Sequence, residues 1–174
     1  LVPLLQQVSA GISIVICTVT AAAVCAALFP IPDEEEAGAH ILDVNVGLPE
    51  IDEAEMMVKV IRSLQSVIDL PLQIDTVDPV AMEKAMRIYN GKALINSVSG
   101  KEESMRTVFP LVKKYGGAVI ALTLDENGIP DNVEGRCNIA KKIIDTAKEY
   151  GIDKKDIIVD PLAMAVSIDS RSAN

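Results

Sequence analysis

The stretch Leu94-Ile95-Asn96-Ser97-Val98-Ser99-Gly100 decides how the rest of the chain is read: an apolar run ends in small polar residues that open a helix. Three other segments repeat the event. Leu72-Gln73-Ile74-Asp75-Thr76 ends in Asp75, Ile41 to Gly47 carries Asp43 and Asn45, and Ile157-Ile158-Val159-Asp160-Pro161 ends in Asp160. Short continuous apolar runs are the mark of parallel strands buried on both faces. The expected strands are Ile41 to Val46, Leu72 to Ile74, Ala93 to Ile95, Ala118 to Leu124 and Ile157 to Val159.

Helical periodicity fills the intervals. Asp52 to Ile68 has acids in its first turn and apolar residues at Met56, Met57, Val60, Ile61, Leu64 and Ile68, the spacing of one buried face. Asp78 reads as an N-cap with Pro79 at the first helical position, and that helix runs to Tyr89. Ser99 and Glu102 have capping-box spacing, opening a helix to about Tyr115 that Pro110 is expected to kink or split. A long solvated loop, Asp125 to Glu134, precedes a helix from Arg136 to Tyr150, closed by Gly151. Strands alternating with helices predict right-handed crossovers and a parallel sheet. Ligands of such folds lie beyond the carboxyl ends of the strands, where Asp43, Asn45, Asp75, Asn96, Thr123 and Asp160 would gather.

Composition narrows the function. The chain has 174 residues, 49% of them hydrophobic, enough for a real core. Its net charge of −9 is uneven: nine acids between Asp33 and Glu55 stand without Lys or Arg, whereas Met56 to Asn174 carries 16 of each sign. With no basic patch, nucleic-acid binding is disfavoured. Cys17, Cys25 and Cys137 form no paired motif, so reduced, mostly buried thiols and a cytoplasmic setting are expected. With His40 as the only histidine, a metal site is not expected. Residues 1–32 carry no charge, and Val8 to Phe29 is a membrane-span candidate by length. Its many Ala, Ser and Thr residues and the absence of Lys or Arg before Lys59 favour buried core instead.

Glu36 to Gly47, reading Glu-Ala-Gly-Ala-His-Ile-Leu-Asp-Val-Asn-Val-Gly, resembles the second strand of the pterin-binding domain of the cobalamin-dependent methionine synthase and corrinoid methyltransferase family. Leu72 to Thr76, Leu94 to Gly100, Ala118 to Pro130 and Asp156 to Ala163 resemble its following strands and loops in order, so the likeness covers about residues 34 to 168. The resemblance implies a (β/α)8 barrel of the TIM type that binds methyltetrahydrofolate and passes its methyl group to cob(I)alamin on another domain or a corrinoid protein. It places Asp75, Asn96 and Asp160 on the pterin, with Asp43 and Asn45 lining the same pocket, and gives Asp75 and Asn96 the catalytic roles. The chemistry suits these side chains. A carboxylate accepts two parallel N–H bonds from an amino-pyrimidinone edge, and a carboxamide offers both a donor and an acceptor.

Each residue also has a plainer reading. Asp, Asn and Ser at strand ends commonly cap the next helix; Thr123 suits barrel packing, Cys137 the core and His40 the surface. Two departures from the family shape further expectations. Residues 1–32 lack the Gly-Glu-Arg-Ile-Asn type motif of its first strand, as a shifted frame or wrong gene boundary would leave them, and Asn174 comes before the seventh and eighth strands. The domain division expected is therefore an atypical segment, 1–32, and a partial barrel, 33–174, beginning at Leu rather than Met as a fragment would. An open barrel would show weak pterin binding, a tendency to associate, homodimers included, and little methyl transfer. The alternatives are a non-catalytic or membrane-tethered barrel fragment and a dihydropteroate synthase-like enzyme.

Overall fold

The computed structural model describes residues 38–163. The apolar segment 1–32, with the membrane-span candidate 8–29, lies outside them. Among the described residues no helix is long and apolar enough to cross a membrane.

Among the described residues five strands, β1 (Leu42–Val44), β2 (Leu72–Asp75), β3 (Leu94–Ser99), β4 (Ala118–Leu122) and β5 (Ile157–Asp160), alternate with α1 (Glu53–Gln65), α2 (Pro79–Ile88), α3 (Glu102–Tyr115) and α4 (Val133–Glu149). A 3-10 turn, Lys154–Asp156, leads into β5. Every pairing is parallel and the strand order is β1-β2-β3-β4-β5. Right-handed crossovers in one unbroken direction put the four described helices on one face of the sheet. This is the wall of a (β/α)8-type barrel, the fold class that the sequence implies.

Local chemistry sets most element ends. The Asp52 carboxylate caps α1 by accepting from Glu55 N at 2.9 Å, and Asp78 caps α2 through Val80 N and Ala81 N at 3.0 and 3.3 Å. Gly116 stops α3 with a φ of +73°, a backbone state that costs other residues energy. The expected capping box at Ser99 does not form. Ser99 is instead the buried last residue of β3, because the pairing with β4 resumes after an irregularity at Asn96–Val98 and joins Ser99 to Leu122. Lys101 holds the cap position without a side-chain bond; the Glu126 carboxylate takes Glu102 N at 2.9 Å, and Ser104 Oγ takes Ser99 N at 3.0 Å. Nor does Pro110 split α3, which is continuous from Glu102 to Tyr115. Pro110 is exposed, so the carbonyl left without an N–H partner one turn earlier can bond to water.

The core lies between sheet and helices. Val44, Ile74, Ile95 and Val119 form one register row, with Val98 and Ala121 paired a step further along, and all six are buried. The helices meet them with Met57, Ile61, Met82, Met105, Phe109, Ile139 and Ile143, each at most 7% exposed. Burying each large side chain contributes about 1.5–3 kcal/mol.

Helices α2 and α3 are also joined by a charge cluster. Glu83 Oε1 accepts from Lys114 Nζ at 2.7 Å, Tyr115 OH at 2.9 Å and Arg87 Nη2 at 3.2 Å. The bond from Lys114, then that from Tyr115, holds the Glu83 carboxyl well below its ordinary 4.5, at about 2. A lowered carboxyl pKa stabilises the fold above the unfolded value, and that contribution is lost as protons bind the native state. Glu83→Gln is therefore expected to lower the melting temperature at neutral pH and to flatten the fall in stability between pH 4.5 and about 2. Parallel melting curves of both proteins across that window would rule the cluster out.

Candidate functional site at the strand ends

The sheet face opposite the helices carries the polar residues, and strand register fixes their order. Asp43, Gln73 and Leu94 form one row. Asp75, Asn96, Ile120 and Ile158 form the next, and Ser99, Leu122 and Asp160 the last. Register partners in a parallel sheet point the same way, so the three rows share a face. Asp75 and Asn96 are thus neighbours. Asp160 stands two strands beyond Asn96, on the order of 10 Å away.

Asn45, just past β1, reaches this face. Its Nδ2 donates to Asp75 Oδ2 at 2.8 Å, while its Oδ1 accepts from Gly47 N at 3.0 Å. A backbone N–H can only donate, so this contact fixes which end of the carboxamide meets the aspartate. Asp43 does not join that pair; its carboxylate accepts from Gln73 Nε2, one row below. Among the described residues the Asn96 carboxamide has no hydrogen-bond partner, although its backbone carbonyl accepts from Thr76 N at 3.2 Å.

Thr76 fixes the turn after Asp75. Buried at 4% exposure, its hydroxyl donates to Glu53 in the first turn of α1 and accepts from Asp78 N at 3.0 Å. Asp160 is held in its own turn, where Oδ1 accepts from Leu162 N at 2.7 Å. Its carbonyl takes both the N–H and the hydroxyl of Thr123, each at 3.1 Å. Thr123 is 1% exposed and packs in the wall, as expected. Leu162 has a φ of +56°, a state costing an ordinary residue about 1–2 kcal/mol. Arg136 of α4 spans this turn: Nη1 donates to Pro161 O at 2.9 Å and Leu162 O at 3.3 Å, and Nε to Pro130 O at 2.9 Å.

Gly100, which closes the stretch around Asn96, has to be glycine for space. A Cβ there would lie 2.6 Å from Ile139 Cγ2 and 2.9 Å from the Leu124 carbonyl oxygen. That carbonyl accepts from Gly100 N at 2.8 Å, joining the exit of β3 to the exit of β4.

The structure therefore joins Asn45, Asp75 and Asn96, sets Asp43 a row below with Gln73, and places Asp160 across a floor made by Ile120 and Leu122. Gln73, Ile120, Leu122, Thr76 and Arg136 were not anticipated in the site. Period-two alternation through Gln73 and Asp75, and through Ile120 and Leu122, carries a signal for three of these five, the ones that share the open face, and none for Thr76 and Arg136. His40 is exposed, as expected of a surface residue. Cys137 is exposed rather than in the core, and Cys17 and Cys25 lie outside the described residues.

The family described as pterin binding enzyme matches residues 8–173. The methylcorrinoid:tetrahydrofolate methyltransferase of Eubacterium limosum is 32% identical over 142 residues, covering 80% of this chain and 52% of that protein. Methionine synthase of Mycobacterium leprae is 30% identical over 141 residues, covering 78% of this chain and 12% of that protein. The chain thus spans about half the length of the first of these relatives and a smaller share of the second. Among solved structures, dihydropteroate synthase of Xanthomonas albilineans in complex with 7,8-dihydropteroate superposes with a TM-score of 0.64 at 24% identity. That match covers 79% of this chain and 52% of the other, and it shows a shared fold.

Proposed function

The chain belongs to the pterin-binding enzyme family, and from that footing we propose that it holds 5-methyltetrahydrofolate at its strand ends and serves transfer of the methyl group to cob(I)alamin on a separate domain or protein. The observation that carries this reading is the open row itself: Asp75, tied to Asn45, stands beside Asn96, whose carboxamide has no described partner, with an apolar floor between them and Asp160. A flat heterocycle with polar edges suits that pattern. The two methyltransferase relatives favour this chemistry over dihydropteroate synthesis, for which the likeness is one of fold.

In this reading Asp160 accepts the N–H donors of the amino-pyrimidinone edge. One of its oxygens already takes Leu162 N, but a carboxylate has roughly four lone-pair sites, which leaves capacity for ring donors. Asn96 reads a neighbouring ring edge. Asp75, with Oδ2 bound to Asn45, uses its other oxygen to hold a ring N–H or to order a water. Asp43 and Asn45 shape the pocket rim.

The corrinoid, on its own domain, supplies the methyl acceptor. As the N5–methyl bond breaks, its electron pair stays on N5, which grows more basic and needs a proton or a hydrogen bond that strengthens in the transition state. Asn96, or a water held by Asp75, is the donor within this chain. Calorimetric titration of the full chain with methyltetrahydrofolate should give a saturable heat, with affinity about tenfold lower in Asn96→Ala. No heat with the parent chain would remove the pterin reading; equal affinities would remove Asn96 from the site.

A further inference from the structure

We propose that Arg136 sets the direction of the Asp160 carboxylate, as a positioning residue that acts through the turn after β5 and touches no ligand itself. Its effect on binding rests on the pterin reading; its effect on the turn does not. Arg136 is partly buried, and no described carboxylate lies within ion-pair distance of it. Instead, its three hydrogen bonds go to backbone carbonyls of two separate segments, Pro130 before α4 and Pro161 and Leu162 after β5.

The geometry makes this more than a general brace. The two carbonyls after β5 are consecutive, and the second belongs to the residue whose N–H holds Asp160 Oδ1. Leu162 sits at a φ of +56°, which its own side chain opposes. From outside the turn, Arg136 Nη1 grips the carbonyls on either side of the Leu162 N–H, while Nε ties it to Pro130. Without that grip Leu162 is free to return to ordinary backbone space. Its N–H then leaves Oδ1, and the carboxylate turns. A planar fork that serves two segments at once is also what lysine cannot reproduce with a single nitrogen.

The test is a double-mutant cycle on the full chain, titrating methyltetrahydrofolate into the parent, Arg136→Ala, Asp160→Ala and the double variant. If Arg136 works through Asp160, Arg136→Ala should weaken binding about tenfold in the parent and hardly at all in Asp160→Ala, the non-additivity expected of coupled neighbours. Arg136→Lys, which keeps charge and stem, should fall between parent and alanine and guards against a merely misfolded variant. Equal losses in both backgrounds would overturn the proposal.

A ligand-free arm measures hydrogen exchange at the Leu162 amide. It should quicken by about tenfold in Arg136→Ala while the Ile143 amide of α4 keeps its protection. An unchanged Leu162 rate would equally overturn the proposal. If the parent chain gives no heat, the pterin reading fails, and the exchange arm alone then decides for or against Arg136.

Discussion

Asp160→Ala is expected to lower the affinity for methyltetrahydrofolate by about a hundredfold, roughly 3 kcal/mol, because removing a charged acceptor leaves its ring donors desolvated and unpaired. Nothing else in the row is placed to replace it. Its register partner is Leu122, and the other polar member of the described row, Ser99, is the last residue of β3 and 8% exposed. Asp160→Asn separates charge from shape. Its carboxamide oxygen can still take Leu162 N, but the amide nitrogen then sits where the ring needs an acceptor, so the loss should be about as large. The change in stability should be small by comparison, about 1 kcal/mol for the one internal bond from Leu162 N. Titration calorimetry with melting curves distinguishes the two effects. Matching affinities for parent and variants would take Asp160 out of the site.

The largest effect on stability should come from Phe109→Ala. Phe109 is the largest fully buried side chain among the described residues. Its ring lies 5.6 Å from that of Tyr150, tilted by 54°, and so joins α3 to the end of α4. Deleting a buried phenylalanine leaves a cavity and costs about 3–5 kcal/mol, against a total that for ordinary domains is only about 5–15 kcal/mol. Phe109→Leu, which refills most of the space, should cost less than half as much. Urea unfolding should show a lowered midpoint for the alanine variant with little change in slope. A midpoint equal to that of the parent would mean that the helix layer does not depend on this contact.

Where a structural decision is local, the sequence made it readable. Asp78 with Pro79, and the acids opening the helix after Asp52, each act on atoms within one turn, and each does what its spacing implies. Ser99 was misread because a distant strand outbid a local pattern: pairing with Leu122 on β4 keeps it extended. The expected third strand, Ala93 to Ile95, is short for the same reason, since β3 runs on to Ser99. Cys137 was legible and was missed. The buried positions of α4 are Ile139, Ile143 and Ala147, and a residue two before Ile139 lies about 200° round the helix, facing water. Among the candidate site residues, Asp75 and Asp160 stood out because each ends its strand, and Asn96 because the polar run after Ile95 looks like a strand end, although β3 runs on to Ser99. Arg136 did not, since its partners are backbone carbonyls, which every residue has, and only the folded turn selects Pro130, Pro161 and Leu162.

The sequential order of the sheet bears on how the chain assembles. Pairing closes loops that range only from Gln73–Leu94 to Val119–Ile157. Closure entropy grows with the logarithm of loop length, so across that range it differs by less than about 0.6 kcal/mol. Chain entropy therefore ranks none of the crossovers first, and the ranking falls to burial. The middle strands gain most on pairing: Ile74, Ile95, Val98, Val119 and Ala121 are all buried. Of the outer strands, β1 buries Val44, whereas β5 leaves Ile158 and Val159 exposed at 49% and 38%. Asn45 and Asp160 thus belong to the margins of the described sheet, which gain least from pairing, and the polar row is expected to form from its centre, Asp75 and Asn96, outwards.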